Sequence, residues 1–232
     1  MFNHLLEELH ESIRNHGGDL LEIPMEFSEY FSINRESKIR SWLWNVPGFR
    51  RWRTTSLDAG ENLQVLNSVA YPVYEKDQPI MGIDLLWFGK RKRLVAVLDF
   101  QPLIQDHLYF DHYFQELESL KNQYPEFNSK QEMFAYDPKQ YFSPWVLFCK
   151  GGISQAQETL PLIFSSFLDL YWKIQSKSRN KALALTVEEI ENLHVNYDKY
   201  SAEKDPAHGL FTGFFGKDWS DKFLHEFLFP SS

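Results

Sequence analysis

The stretch 79–102, PIMGIDLLWFGKRKRLVAVLDFQP, constrains this chain most. Alternation of side chains predicts a strand over Ile80–Phe88 and a second over Leu94–Gln101. Gly89-Lys90-Arg91-Lys92 is then the polar turn of a β-hairpin. In the first strand Asp84 shares a face with Ile80, Gly82, Leu86 and Phe88, while Met81, Ile83, Leu85 and Trp87 take the other. Both faces are apolar, so both are expected to be covered. Burying an ionised carboxylate is costly, so Asp84 must either meet a cation or raise its pKa and keep a proton. An ion pair with an Arg or Lys from elsewhere in the chain is the plainer alternative. Gly82 removes bulk beside the acid, and a flat apolar ligand laid over this face meets one acid group.

Around this hairpin the pattern predicts an antiparallel meander followed by helices. An amphipathic helix is expected over residues 3–16, stopped by Gly17-Gly18. Residues 19–40 read as loop. Strands are expected from Arg50 towards Asp58 and over Leu63–Tyr71, the latter interrupted by Asn67 and ended by Pro72. Residues 106–123 read as a helix, Pro144–Lys150 as a buried strand, and Ser154 to about Lys177 as a long helix with a kink or late start at Pro161. Thr186 with Glu189 forms a capping box for a helix to about Glu203, which Asp205-Pro206 should break. A last helix covers Ser220–Phe229. The expected fold is α+β, a three-layer α/β/α sandwich with a central antiparallel sheet, in a single domain over 1–232.

Several functions are excluded or left weak. With net charge −8, nucleic acid and a basic membrane-binding surface are poor partners. No apolar run reaches membrane-spanning length, and the charged amphipathic start does not read as a secretory signal. Cys149 is the only cysteine, which excludes an intramolecular disulfide and a cysteine-held iron–sulfur cluster and fits a reducing, cytoplasmic compartment. No dinucleotide fingerprint, phosphate loop or hydrolase elbow is present. His107 and His112, with Asp106 and Asp111, make only a weak metal candidate, so no metal is expected. Aromatic residues reach 16%, which suits either an aromatic core or a planar ligand. Arg50, Arg51 and Arg53, and the run Lys90 to Arg93, are basic clusters on which a small acidic partner could dock. Lys150, at a strand end, is a candidate for a ligand carboxylate. Asp205 is a second acid, aimed inward by the helix break or else capping the next turn. His208 lies three residues on.

PIMGIDLLWF with VLDFQPL, LQVLNSVAYP, the strand end LFCKGG, and YSAEKDPAHGLF followed by FGKDWSDKFLHEFLF occur in an order that resembles the ferredoxin-dependent bilin reductases, over essentially the whole chain. The resemblance implies an open-chain tetrapyrrole bound between the sheet and the C-terminal helices. Single electrons come from reduced ferredoxin, an acidic protein, with no metal or flavin of the enzyme's own, and protons come from buried side chains through radical intermediates. It places Asp84 as the central-strand acid and Asp205 as the acid on the opposite side of the pocket. It also places Lys150 at a propionate, and Gly82, Asn67 and His208 join it as substrate-binding candidates. Asn67 stands where relatives of other regiochemistry carry His, and Thr55 where the phycocyanobilin-forming branch has Glu. The implied reaction is reduction of biliverdin IXα at the 15,16 methine bridge, towards phycoerythrobilin. The enzyme is expected to be a monomer, with hand-over of product to the next bilin reductase left open. A sister reductase of different regiochemistry and a non-catalytic bilin carrier remain alternatives.

Overall fold

The alternating stretches pair into one antiparallel sheet in the computed structural model, which describes residues 1–32, 34, 36–129, 140–177, 182–205 and 207–232. Its strands are β1 (Asp19–Leu21), β2 (Glu29–Phe31), β3 (Lys38–Asn45), β4 (Phe49–Asp58), β5 (Gln64–Pro72), β6 (Ile80–Phe88), β7 (Arg93–Gln101) and β8 (Leu147–Gly151). The order is β1-β3-β4-β5-β6-β7-β8, with β2 also on β3. The hairpin that anchors the sequence is β6–β7, closed by a 3-10 turn whose Lys92 takes φ +47°. In register, Asp84 stands opposite Asn67 on one side and Val97 on the other.

Each face of the sheet has its own helical layer. Beneath it lie α1 (Asn3–Asn15) and α5 (Leu160–Lys177). Leu5, Leu9 and Ile13 of α1 are fully buried. Phe167 of α5 stacks on Phe100 with ring centroids 4.7 Å apart, and Trp172 meets Trp52 at 5.1 Å. Met81, Ile83, Leu85 and Trp87, the face of β6 away from Asp84, are all buried. Above the sheet lie α6 (Val187–Lys204), α7 (Ala207–Phe215) and α8 (Lys217–Lys222), the last running on into a π-helical stretch, Phe223–Leu228. The Tyr71 hydroxyl of β5 donates to Asp198 of α6 at 2.7 Å and ties that helix to the sheet. Between β7 and β8 run α3 (His107–Tyr113) and α4 (Gln115–Gln123). No helix among the described residues is long and apolar enough to cross a membrane.

Several elements depart from expectation. The stretch 19–40, expected as loop, contains β1, a one-turn helix α2 (Met25–Ser28), β2 and the start of β3. Strands of three residues have too little sequence to show alternation, and β1 is exposed throughout. β3 turns into β4 at Val46-Pro47-Gly48, where Gly48 adopts φ +87°, a conformation that side chains oppose. The helix expected over 106–123 is two helices that meet at Phe114. Asp106 accepts the N–H groups of Leu108 and Tyr109, so it caps α3 and is committed to that role. Pro161 does not delay the helix, which is helical from Ile153 and carries a π-helical turn, Gln155–Thr159, directly before α5. α7 was not expected: Gly209 and Gly213 lower its helix propensity, and packing of Phe211 and Phe215 compensates.

Candidate active site

A cavity of about 370 Å³ lies between the upper face of the sheet and the C-terminal helices. Its floor follows strand alternation. Arg53, Thr55 and Leu57 come from β4, and Val65, Asn67 and Val69 from β5. Gly82, Asp84 and Leu86 come from β6, Val95, Val97 and Gln101 from β7, and Phe148 and Lys150 from β8. Its roof carries Tyr197, Tyr200, Ser201 and Asp205 from α6 and its end, Phe211 from α7, and Leu228-Phe229. Tyr141 and Phe142 close a side. Their segment is pinned to β7 by Asp99, which accepts the Ser143 N–H at 2.7 Å and the Ser143 hydroxyl at 2.5 Å.

Asp84 is held at the centre of this floor. Asn67 Nδ2 donates to its Oδ1 at 3.2 Å, and no cation pairs with it among the described residues. Burial is the main reason its pKa is pushed up to about 7. The Asn67 hydrogen bond opposes that rise, the charge of Asp205 adds to it, and the Arg53 guanidinium opposes it. A carboxyl group so placed carries a proton near neutral pH and can donate it.

Asp205 satisfies both sequence readings at once. Its Oδ1 accepts the Ala207 N–H at 2.8 Å, an Asx turn that starts α7, and its side chain lines the cavity. Burial raises its pKa, against the Ala207 hydrogen bond, Arg53 and His208. Gly82 has a specific reason to lack a side chain: an added Cβ would lie 2.9 Å from the Gln101 carboxamide. That carboxamide in turn accepts the Tyr197 hydroxyl at 2.5 Å, linking floor to roof. Lys150 is on the cavity wall at the sheet edge, its ammonium 5.7 Å from the Phe148 ring centroid.

His208 does not join them. Ala207 and Phe211, one turn apart on α7, face the cavity, which turns His208 away from it. Its Nε2 lies 2.7 Å from Asp221 Oδ1, and Lys217 holds the other oxygen at 2.9 Å. The reading of Arg50, Arg51 and Arg53 as a docking cluster is also corrected. Arg50 donates to His194 Nδ1 at 3.0 Å, Arg51 to the Phe227 carbonyl at 2.5 Å, and Arg53 to the Leu228 carbonyl at 3.0 Å. They satisfy the last carbonyls of the C-terminal helix and a buried imidazole instead of facing solvent. The turn Lys90 to Arg93 is exposed as expected.

The sequence reading missed Arg53 as a cavity residue, and Tyr197 and Tyr200 as its roof. A signal existed for each. Arg53 has the parity of Thr55 and Leu57, and Tyr197, Tyr200, Ser201 and Asp205 fall at helical spacing along one face. Among the described residues no three His, Cys, Asp or Glu side chains gather as a metal site.

An apolar slot, floored by a sheet and lined by two acids whose pKa values burial raises, has the shape and chemistry to take a large planar ligand and offer it protons. Comparison with known proteins gives the family. Residues 6–230 match the family model described as ferredoxin-dependent bilin reductase. A 15,16-dihydrobiliverdin:ferredoxin oxidoreductase of Prochlorococcus marinus (strain NATL1A) is 60% identical over 232 residues, 100% of this chain and 98% of the relative. One from Synechococcus sp. (strain CC9902) is 57% identical, covering 100% and 99%. The crystal structure of phytochromobilin synthase from tomato in complex with biliverdin superposes with TM-score 0.82 at 20% identity, covering 97% of this chain and 83% of that one, which is a likeness of fold. The chain belongs to the ferredoxin-dependent bilin reductases.

Proposed function

We propose that the chain, acting as one domain over 1–232, reduces biliverdin IXα at the 15,16 methine bridge to 15,16-dihydrobiliverdin. Two electrons come one at a time from reduced ferredoxin, and two protons complete the balance. The relatives named for this reaction match over the full chain, which supports the regiochemistry. The observation that carries the chemistry is Asp84, on the cavity floor with its pKa near 7.

The tetrapyrrole lies in the slot with its body against Val65, Val69, Val95 and Val97 and its roof of tyrosines. Lys150, at the open edge, meets a propionate. One electron turns the neutral π system into a radical anion, which is more basic than biliverdin. Asp84 gives it a proton in or after that step. The second electron and a second proton close the reduction, with Asp205 supplying or reloading that proton from the opposite wall. Asn67 and Thr55, on the floor beside Asp84, provide neither the imidazole nor the carboxyl group expected for the phycocyanobilin-forming branch.

Anaerobic turnover of biliverdin with reduced ferredoxin, with chromatography of the product, tests the reading. Formation of 15,16-dihydrobiliverdin is expected. Another reduced bilin makes the protein a sister reductase, and a bound-bilin spectrum that reduced ferredoxin leaves unchanged makes it a carrier.

A further inference from the structure

Arg53 is almost wholly buried, at 1% exposure, yet lies on the cavity floor. Its Nη1 donates to Asn67 Oδ1 at 2.6 Å, while its Nε holds the Leu228 carbonyl at 3.0 Å. A guanidinium has donors only, so the Asn67 atom facing it must be the carboxamide oxygen. The Asn67 amide nitrogen is thereby turned to Asp84, where it donates to Oδ1 at 3.2 Å. A flipped Asn67 would set its N–H groups against the Arg53 N–H, so the guanidinium is what holds the carboxamide in this orientation. With Oδ1 occupied as an acceptor, the acid proton of Asp84 belongs on Oδ2, which receives no hydrogen bond among the described residues.

We propose that Arg53 is a positioning residue. Through Asn67 it fixes which oxygen of Asp84 carries the proton, reserving Oδ2 for delivery to the ligand. The inference rests on Asp84 being the proton donor of the proposed reaction. The fixed two-point grip on Leu228 and Asn67 sets one orientation of the chain Arg53–Asn67–Asp84. Loss of the grip lets the carboxamide rotate and the proton occupy either oxygen.

The test compares Arg53→Met, Asn67→Leu and the double variant. The first readout is the infrared C=O band of protonated Asp84 in ligand-free protein, assigned by its loss in Asp84→Asn. In the wild type this carbonyl accepts the Asn67 N–H, so its band is expected at lower wavenumber than in either single variant, and the double variant should shift no further. The second readout is kcat with biliverdin and reduced ferredoxin. Each single variant should lose about tenfold, with biliverdin KM little changed. The double variant should lose no more than either single one, because Arg53 acts through Asn67. An Arg53→Met band at the wild-type position, or losses that multiply in the double variant, overturns the proposal. If Arg53→Met does not fold, Arg53→Lys takes its place. A compact ammonium cannot reproduce the two-point fork, so the same upshift is expected, and a wild-type band with wild-type kcat overturns the proposal. Absence of turnover in the wild type with the infrared pattern intact counts against the reductase reading alone.

Discussion

Asp84 holds its proton towards neutral pH because burial on the cavity floor disfavours the carboxylate more than the Asn67 hydrogen bond and the Arg53 charge favour it. Its pKa rises from 3.8 to about 7, so between those values the folded chain retains a proton that the unfolded chain has lost. Any stability tied to this group is therefore full below about pH 4 and lost as pH rises through 7. Asp84→Asn, which keeps an acceptor for Asn67, should leave stability little changed at pH 4 and raise it at pH 8. The upper bound on that gain is about 4 kcal/mol. Urea unfolding of ligand-free protein at the two pH values checks this, and equal effects at both would remove the titration from Asp84. Turnover should fall on the alkaline side of about pH 7, where the donor loses its proton. Titratable and charged groups that share the cavity with Asp84 include Asp205, Arg53, Tyr197 and Lys150, so the limb belongs to the set. Gly82→Ala should push the Gln101 carboxamide off its place and break its bond from Tyr197, weakening biliverdin affinity by about tenfold with little loss of stability. Titration of the bilin spectrum reads that loss.

At the scale of elements, the site depends on how α6 seats on the sheet. Tyr71 of β5 and Asp198 of α6 are both fully buried, and the hydroxyl-to-carboxylate bond is the polar contact between them. Tyr71→Phe leaves that carboxylate short of a donor and should cost about 2 kcal/mol, read as a lower urea midpoint with an unchanged m-value. The same elements show what the sequence could disclose. β6 and β7 were legible because two nine-residue, mostly apolar strands flank a short polar turn. α6 was legible through its capping box, with the Thr186 hydroxyl accepting the Glu189 N–H at 3.2 Å. β1, β2 and α7 were not: their conformation comes from pairing with β3 and from Phe211 and Phe215 packing, neither of which leaves a local pattern. Asp84 and Gly82 could be found because they break an apolar strand. Arg53 shares the parity of Thr55 and Leu57, but in a row of basic residues that signal is outweighed by charge until the Leu228 carbonyl and Asn67 that bind it are in place. His208 was misplaced because the break at Asp205 is followed at once by another helix, which rotates it towards Asp221.

Over the whole molecule, charge is divided in a useful way. The net charge is −8, yet the exposed β6–β7 turn is Lys90, Arg91, Lys92 and Arg93 without an acidic residue among them. With Arg50, Arg51 and Arg53 turned inward, this turn is the basic cluster of the sequence reading that still faces solvent. Ferredoxin is expected to land on it. Lys90→Glu with Arg91→Glu should raise the ferredoxin KM several-fold at low salt, with the difference shrinking as salt screens the contact and biliverdin affinity unchanged. A KM insensitive to both changes would move the docking surface elsewhere.

The sheet, its helical roof and the reductase reading converge on one carboxyl group. Single-turnover spectroscopy of the Asp84→Asn variant, with biliverdin bound and reduced ferredoxin added anaerobically, addresses it directly. The expected result is a normal bound-bilin spectrum, electron uptake into the tetrapyrrole, and formation of 15,16-dihydrobiliverdin slowed by about a hundredfold or more. Formation of that product at the wild-type rate would contradict the role given to Asp84.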